Sequence, residues 1–146
     1  MTNDLVYTTY IRSTPEKVWQ AITNPEFARQ YWEHENISDW KKGSDWKHVT
    51  PDGKTVRVVG KVLQSTPPKR LVISWADPQN KAAESQVAFD ISVAEDIVRL
   101  EVVHSKLGAD MAGKVSRGWP RVLSSMKTFL ETGRPLNTWA EFSQRA

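Results

Sequence analysis

A chain of 146 residues, with 20 Lys and Arg against 17 Asp and Glu and a net charge of +3, has the size of one domain able to bury its own core. It contains no cysteine, which excludes a disulfide framework, a thiolate metal site and a cysteine nucleophile. Charge is spread evenly, 11 basic and 8 acidic residues in the first 73 against 9 and 9 in the last 73, so the basic stripe of a nucleic-acid binder is missing and no nucleic-acid partner is expected.

The first element is Leu5-Val6-Tyr7-Thr8-Thr9-Tyr10-Ile11, rich in β-branched and aromatic residues and too short for a helix, hence a strand. Ser13-Thr14-Pro15-Glu16 then starts a helix: the Thr14 hydroxyl can accept from an orphan N–H, and Pro15 at the first helical position needs no donor. Val18, Trp19 and Ile22 form its apolar face, and Asn24-Pro25-Glu26 opens a second short helix carrying Phe27, Tyr31 and Trp32. From Ile37 to His104 the period falls to two. Lys42-Gly43-Ser44 and Pro51-Asp52-Gly53 mark turns around a strand at Asp45–Val49. Val56–Leu63 is a further strand, with Gly60 marking a bulge or close backbone approach, and Pro67-Pro68 ends it. Leu71–Trp75 is the next strand. Val87, Phe89, Ile91 and Val93 then alternate with polar or small residues. Ala94-Glu95-Asp96 makes a tight hairpin, and Val98, Leu100, Val102 and His104 share one face beyond it.

Asp110 to Thr132 returns to the helical period. At 100° per residue Met111, Val115, Trp119, Val122, Leu123, Met126, Phe129 and Leu130 fall within an arc of about 120°, with Lys114, Arg117 and Arg121 opposite. Gly133 is the stop. Pro120 predicts a kink, or a helix beginning only at about Gly118 to Pro120. Residues 134–146 form a short tail, anchored if Trp139 and Phe142 pack.

One strand, two short helices, a run of strands and one long helix indicate an α+β class. The expected architecture is a curved antiparallel sheet of six to seven strands around the long C-terminal helix, in one domain spanning 1–146. Ser13 through Glu26, Asp39-Trp40-Lys41-Lys42-Gly43-Ser44, Gly60-Lys61-Val62-Leu63 leading to Pro67-Pro68-Lys69-Arg70-Leu71, and Gly118-Trp119-Pro120-Arg121-Val122-Leu123 through Leu130-Glu131-Thr132-Gly133 stand in the right order to resemble the helix-grip fold of the START-like (birch-pollen-allergen-like) superfamily. Within it the chain resembles the branch named for activators of the heat-shock-protein-90 ATPase. The resemblance covers nearly the whole chain and rests mostly on caps, turns and core positions.

No segment of Met1–Gln20 has the apolar run of a signal peptide, and nothing approaches the roughly 20 apolar residues that cross a bilayer, so a cytoplasmic protein without membrane insertion is the expectation. There is no Gly-x-Ser-x-Gly, His-Glu-x-x-His or Gly-x-Gly-x-x-Gly. Gly53-Lys54-Thr55 ends like a phosphate loop, but His48 stands where that loop needs Gly. His34, His48 and His104 lie on separate segments without metal-ligand spacing, and neither a metal nor a cofactor is expected, although folding could bring two of them together. Glu33, Glu35 and Asp39 read better as a solvated loop than as an acid–base pair.

The apolar helix arc, the seven Trp and the inward alternation of the last two strands predict an internal cavity holding a small hydrophobic molecule without catalysis, and the resemblance implies the same cavity. Its expected lining is Trp32, Trp46, Trp75, Phe89, Val102, His104, Trp119, Leu123 and Met126. Two other functions are kept open. The resemblance implies an interaction module that engages a chaperone or serves a stress response, and the Lys114/Arg117/Arg121 stripe reads either as solvated surface or as a docking strip for an acidic partner. The superfamily implies a cavity enzyme of cyclase or hydrolase type using His104, whose imidazole is otherwise a neutral core histidine. A monomer or homodimer fits either.

Overall fold

The computed structural model describes residues 4–136, so the tail positions Trp139 and Phe142 lie outside the described residues. Ten elements follow in chain order: β1 (Leu5–Ile11), α1 (Pro15–Thr23), α2 (Pro25–Trp32), β2 (Glu35–Ile37), β3 (Asp45–Val49), β4 (Val56–Thr66), β5 (Arg70–Asp77), β6 (Asn80–Ala94), β7 (Ile97–Ser105) and α3 (Ala109–Thr132). The strands make one antiparallel sheet in the order β1-β7-β6-β5-β4-β3-β2, curled so that its inner face and the helices enclose the core. This is the helix-grip arrangement, with seven strands. No helix among the described residues is long and apolar enough to cross a membrane.

Local chemistry sets the helix ends. Thr14 Oγ1 accepts from Lys17 N, Asn24 Oδ1 accepts from Glu26 N and Phe27 N, and Gly133 closes α3 at φ 82°. The last four carbonyls of α1 would otherwise be orphans. Each finds a different donor: Asn24 N bonds Gln20 O, the Tyr31 hydroxyl bonds Ala21 O, Asn36 Nδ2 bonds Ile22 O and Trp40 Nε1 bonds Thr23 O. One helix end thereby fixes α2, β2 and the loop before β3 relative to one another.

Gly60 is a close approach. A Cβ there would stand 2.0 Å from Ser74 O and 2.5 Å from Trp46 Nε1, so only glycine lets the Trp46 indole cross β4 and donate to Ser74 O at 2.7 Å. Two stretches escape sequence patterning. Strand β2 has three residues, too few for a period, and β6 begins at Asn80, six residues before the alternation starts, because Asn80–Glu84 is exposed throughout. Val93, expected on the inner face, is 64% exposed, one pair from the hairpin turn, although its partner Val98 is buried.

Helix α3 does not wait for Pro120; it runs continuously from Ala109, with the proline inside it. Pro120 has no N–H for the Ser116 carbonyl four residues earlier. The Tyr7 hydroxyl, from β1, supplies a donor to that carbonyl at 3.4 Å. The open edge of β1 is covered in the same way: Lys127 Nζ donates to Tyr10 O at 2.6 Å and Arg12 N donates to Glu131 Oε2 at 2.8 Å. In a double-mutant cycle, Tyr7→Phe is expected to lower stability by roughly 0.5–1 kcal/mol in the natural sequence. It should cost measurably less in Pro120→Ala, where a backbone N–H replaces the hydroxyl. Equal losses in the two backgrounds, read from denaturant unfolding, would show that the hydroxyl does not serve this carbonyl.

Candidate functional site

All nine residues expected to line a cavity are buried, and they converge on the space between sheet and α3. Alternation along β7 turns Val102 and His104 inward, and β6 contributes Phe89 from the neighbouring strand. Trp75 enters from β5 and Trp46 from β3. Trp119, Leu123 and Met126 descend from α3, and Trp32 closes the side from α2. The rings meet at short range: Trp75–Trp119 and Trp32–Trp119 at 5.7 Å between centroids, Trp46–Trp75 at 5.5 Å, Trp75–His104 at 5.3 Å and Phe89–Trp119 at 6.0 Å.

Two open grooves, of about 580 and 530 Å³, lie elsewhere. The first follows the cross-strand row Ile37, Lys47, Val59 and Ala76; the second is bordered by Trp19, Trp40, Lys42 and Pro67. Of the nine residues only Trp46 borders either groove. Beneath α3 the rings form a contiguous aromatic array.

His104 sits at the centre of the array with no exposure, and both its nitrogens are engaged. Trp119 Nε1 is a donor only, so its 3.0 Å contact makes His104 Nδ1 the acceptor. The proton is consequently on Nε2, which donates to Ser85 Oγ at 2.8 Å, and Ser85 in turn donates to Trp75 O at 3.1 Å. Burial lowers the His104 pKa to about 4. A neutral imidazole with both edges satisfied is a structural pin between β7, β6 and α3.

A second histidine belongs to this region although sequence spacing gave it no role. His48, on β3, is buried with its ring 4.6 Å from Trp32 and 4.7 Å from His34, the two imidazoles lying 10° from parallel. Asn36 uses its amide N–H on Ile22 O and so presents Oδ1 to His48 Nδ1 at 2.7 Å, which places the proton on Nδ1. His34 Nδ1 likewise donates to Trp32 O at 3.1 Å. Burial, with His34 and Arg57 nearby, lowers the His48 pKa to about 3, and burial lowers that of His34. The signal that could have found the pair was the antiparallel register Asn36↔His48, which follows only once the three-residue β2 is placed. No group of three or more His, Cys, Asp or Glu capable of holding a metal occurs among the described residues.

The acidic residues after α2 do not form a pair. Glu33 is the left-handed cap of α2, Glu35 is bridged to Arg29 at 3.1 Å, and Asp39 accepts from Lys41 N in a local turn. Lys114, Arg117 and Arg121 are exposed on the outer side of α3.

The histidines give the fold a pH dependence whose sign follows from their depression. Below pH 6.5 the unfolded chain binds protons that folded His104 and His48 refuse, so stability falls as pH drops, until each folded pKa, near 4 and near 3, is reached. Each contributes a slope of up to about 1.4 kcal/mol per pH unit. Denaturant midpoints should be flat above pH 7 and fall between about pH 6 and 5, where ordinary carboxylates remain ionised. A flat profile across that window would mean that the buried imidazoles are charged or solvent-accessible.

Comparison with known proteins agrees with the geometry. The family described as activator of Hsp90 ATPase homolog 1-like protein matches residues 12–131. No curated protein matches at the level of sequence. Among solved structures, CalU16 from Micromonospora echinospora is 25% identical over 97% of this chain and 82% of its own, with a TM-score of 0.76. The Aha1 dimer from Colwellia psychrerythraea (22% identity, 89% of this chain and 97% of that one, TM-score 0.75) and MLL2253 from Mesorhizobium loti (24%, 88% and 96%, 0.75) share the fold. With the strand order, the gripped helix and a family match over most of its length, the chain belongs to the activator of Hsp90 ATPase homolog 1-like family of the START-like superfamily.

Proposed function

We propose that this protein binds a small, flat, apolar molecule among the rings between the sheet and α3, without catalysing its conversion. The observation that carries the proposal is a contrast along α3. From Trp119 to Met126 the inward residues are buried, whereas Met111 and Val115, on the same apolar arc, are half-buried. The half before Trp119 is also intrinsically weak: its N-cap is Gly108 with no side-chain bond, Gly113 and Gly118 lie within it, and Pro120 removes a helical hydrogen bond at its end. Segments of low local stability are those that open to admit ligands. Lifting the segment before Trp119, with the Trp119–His104 bond kept, would open a way to the rings of Trp119, Trp32, Trp75 and Phe89, which offer apolar area and stacking geometry to a planar guest. The satisfied His104 supports binding over acid–base chemistry, since no lone pair or spare proton faces outward from it.

Naphthalene is a suitable minimal probe. Titration should quench tryptophan emission saturably with one site per chain and raise the thermal midpoint. Linear, unsaturable quenching with an unchanged midpoint would count against a site in the array.

A further inference from the structure

The polar groups at the rim of the array define what a preferred guest carries. His48 is 5% exposed, and its Nδ1–H is committed to Asn36 Oδ1, so its Nε2 is a hydrogen-bond acceptor. No partner for that nitrogen occurs among the described residues. Among the described residues the sealed side-chain atoms without a partner are Ser13 Oγ and Ser125 Oγ, and His48 Nε2 is not one of them. Stacked on it, His34 has the same tautomer and directs its proton to the Trp32 carbonyl. Arg57, an exposed residue of β4 with no ion pair among the described residues, stands at the bulge opposite His48 and Val49, between Val58, which pairs with His48, and Val56, which pairs with Val49, and its charge acts on both rings. Glu33 also acts on His34, less strongly than Arg57, and is not felt at His48. The site thus offers two stacked neutral acceptors, of which that of His48 is the deeper, one cation and an aromatic wall, Trp32, which touches both His48 and Trp119.

Resting on the binding function above, we propose that His48 Nε2 and Arg57 form a subsite for an acidic neutral hydroxyl, so that the preferred guest is a flat apolar molecule bearing a phenolic or enolic O–H. The hydroxyl donates to His48 Nε2, and its oxygen, gaining negative character, faces the Arg57 guanidinium. A metal cation is disfavoured by Arg57. A carboxylate brings no proton for Nε2, and protonating a buried His48 instead is costly. A simple alcohol donates but is less acidic, and an ether cannot donate at all.

The test compares 2-naphthol with 2-methoxynaphthalene at pH 7 by tryptophan quenching. A further readout follows the His48 Nε2 resonance by ¹⁵N NMR in the natural protein. The expectation is at least tenfold tighter binding of 2-naphthol and a shift of His48 Nε2 with 2-naphthol but not with the ether. Arg57→Ala, at an exposed position that leaves the fold intact, should weaken 2-naphthol several-fold while changing the ether less than twofold. Equal affinities in the natural protein, an unmoved Nε2 resonance at saturation, or an Arg57→Ala protein that keeps the full preference would each overturn the subsite while leaving the apolar site in place. Failure of both naphthalenes to bind would overturn the apolar site and the subsite together.

Discussion

The fold turns on one buried contact, the indole N–H of Trp119 resting on Nδ1 of His104. It links the gripped helix to the inner face of the sheet at β7, and it determines the tautomer of His104, which then determines the direction of the bonds through Ser85 to the Trp75 carbonyl. Removing either partner would leave a buried polar atom without a mate, a loss of about 1–3 kcal/mol. Around this pin the rings of Trp32, Trp75 and Phe89 pack from three elements. The apolar arc of α3 is thereby held at one rotation and one depth against the sheet.

A second chain of bonds runs from the end of α1. The Asn36 amide donates to the Ile22 carbonyl, His48 Nδ1–H donates to Asn36 Oδ1, and Nε2 on the other edge of His48 is left as an acceptor. The two histidines therefore differ in kind although both are neutral and buried. One is closed on both sides and holds the structure; the other is closed on one side and oriented on the other. Between them lies an aromatic array roofed by a helix whose first half carries two glycines and ends near a proline. Firm walls and a weak roof are what the proposed binding of a guest requires.

Much of this was legible in the sequence because it is local. Thr14, Asn24 and Gly133 mark helix ends through bonds made within a few residues, and the alternation of β6 and β7 assigns Phe89, Val102 and His104 to the inner face. The arc of α3 likewise assigns Trp119, Leu123 and Met126. What stayed hidden depends on register or on distant partners. The His34–His48 stack requires β2, which is too short for a period. The tolerance of Pro120 inside α3 depends on Tyr7, 109 residues before Ser116, filling the carbonyl that the proline abandons. Packing there overrides a propensity that, read locally, stops a helix. That the inward rings touch one another, Trp119 meeting Trp32, Trp75 and Phe89, follows from side-chain sizes and distant elements that alternation and helical arc do not relate.

The central claim, that the first half of α3 opens over an aromatic site held by its second half, is tested most directly by amide hydrogen exchange. Backbone amides of residues 111–118 should exchange through openings of much lower free energy than those of 122–130. Saturation with 2-naphthol should slow the first group far more than the second. If both segments exchange together at the rate of global unfolding, or if ligand protects neither, α3 is a single rigid element and the account of a roof that admits a guest is wrong.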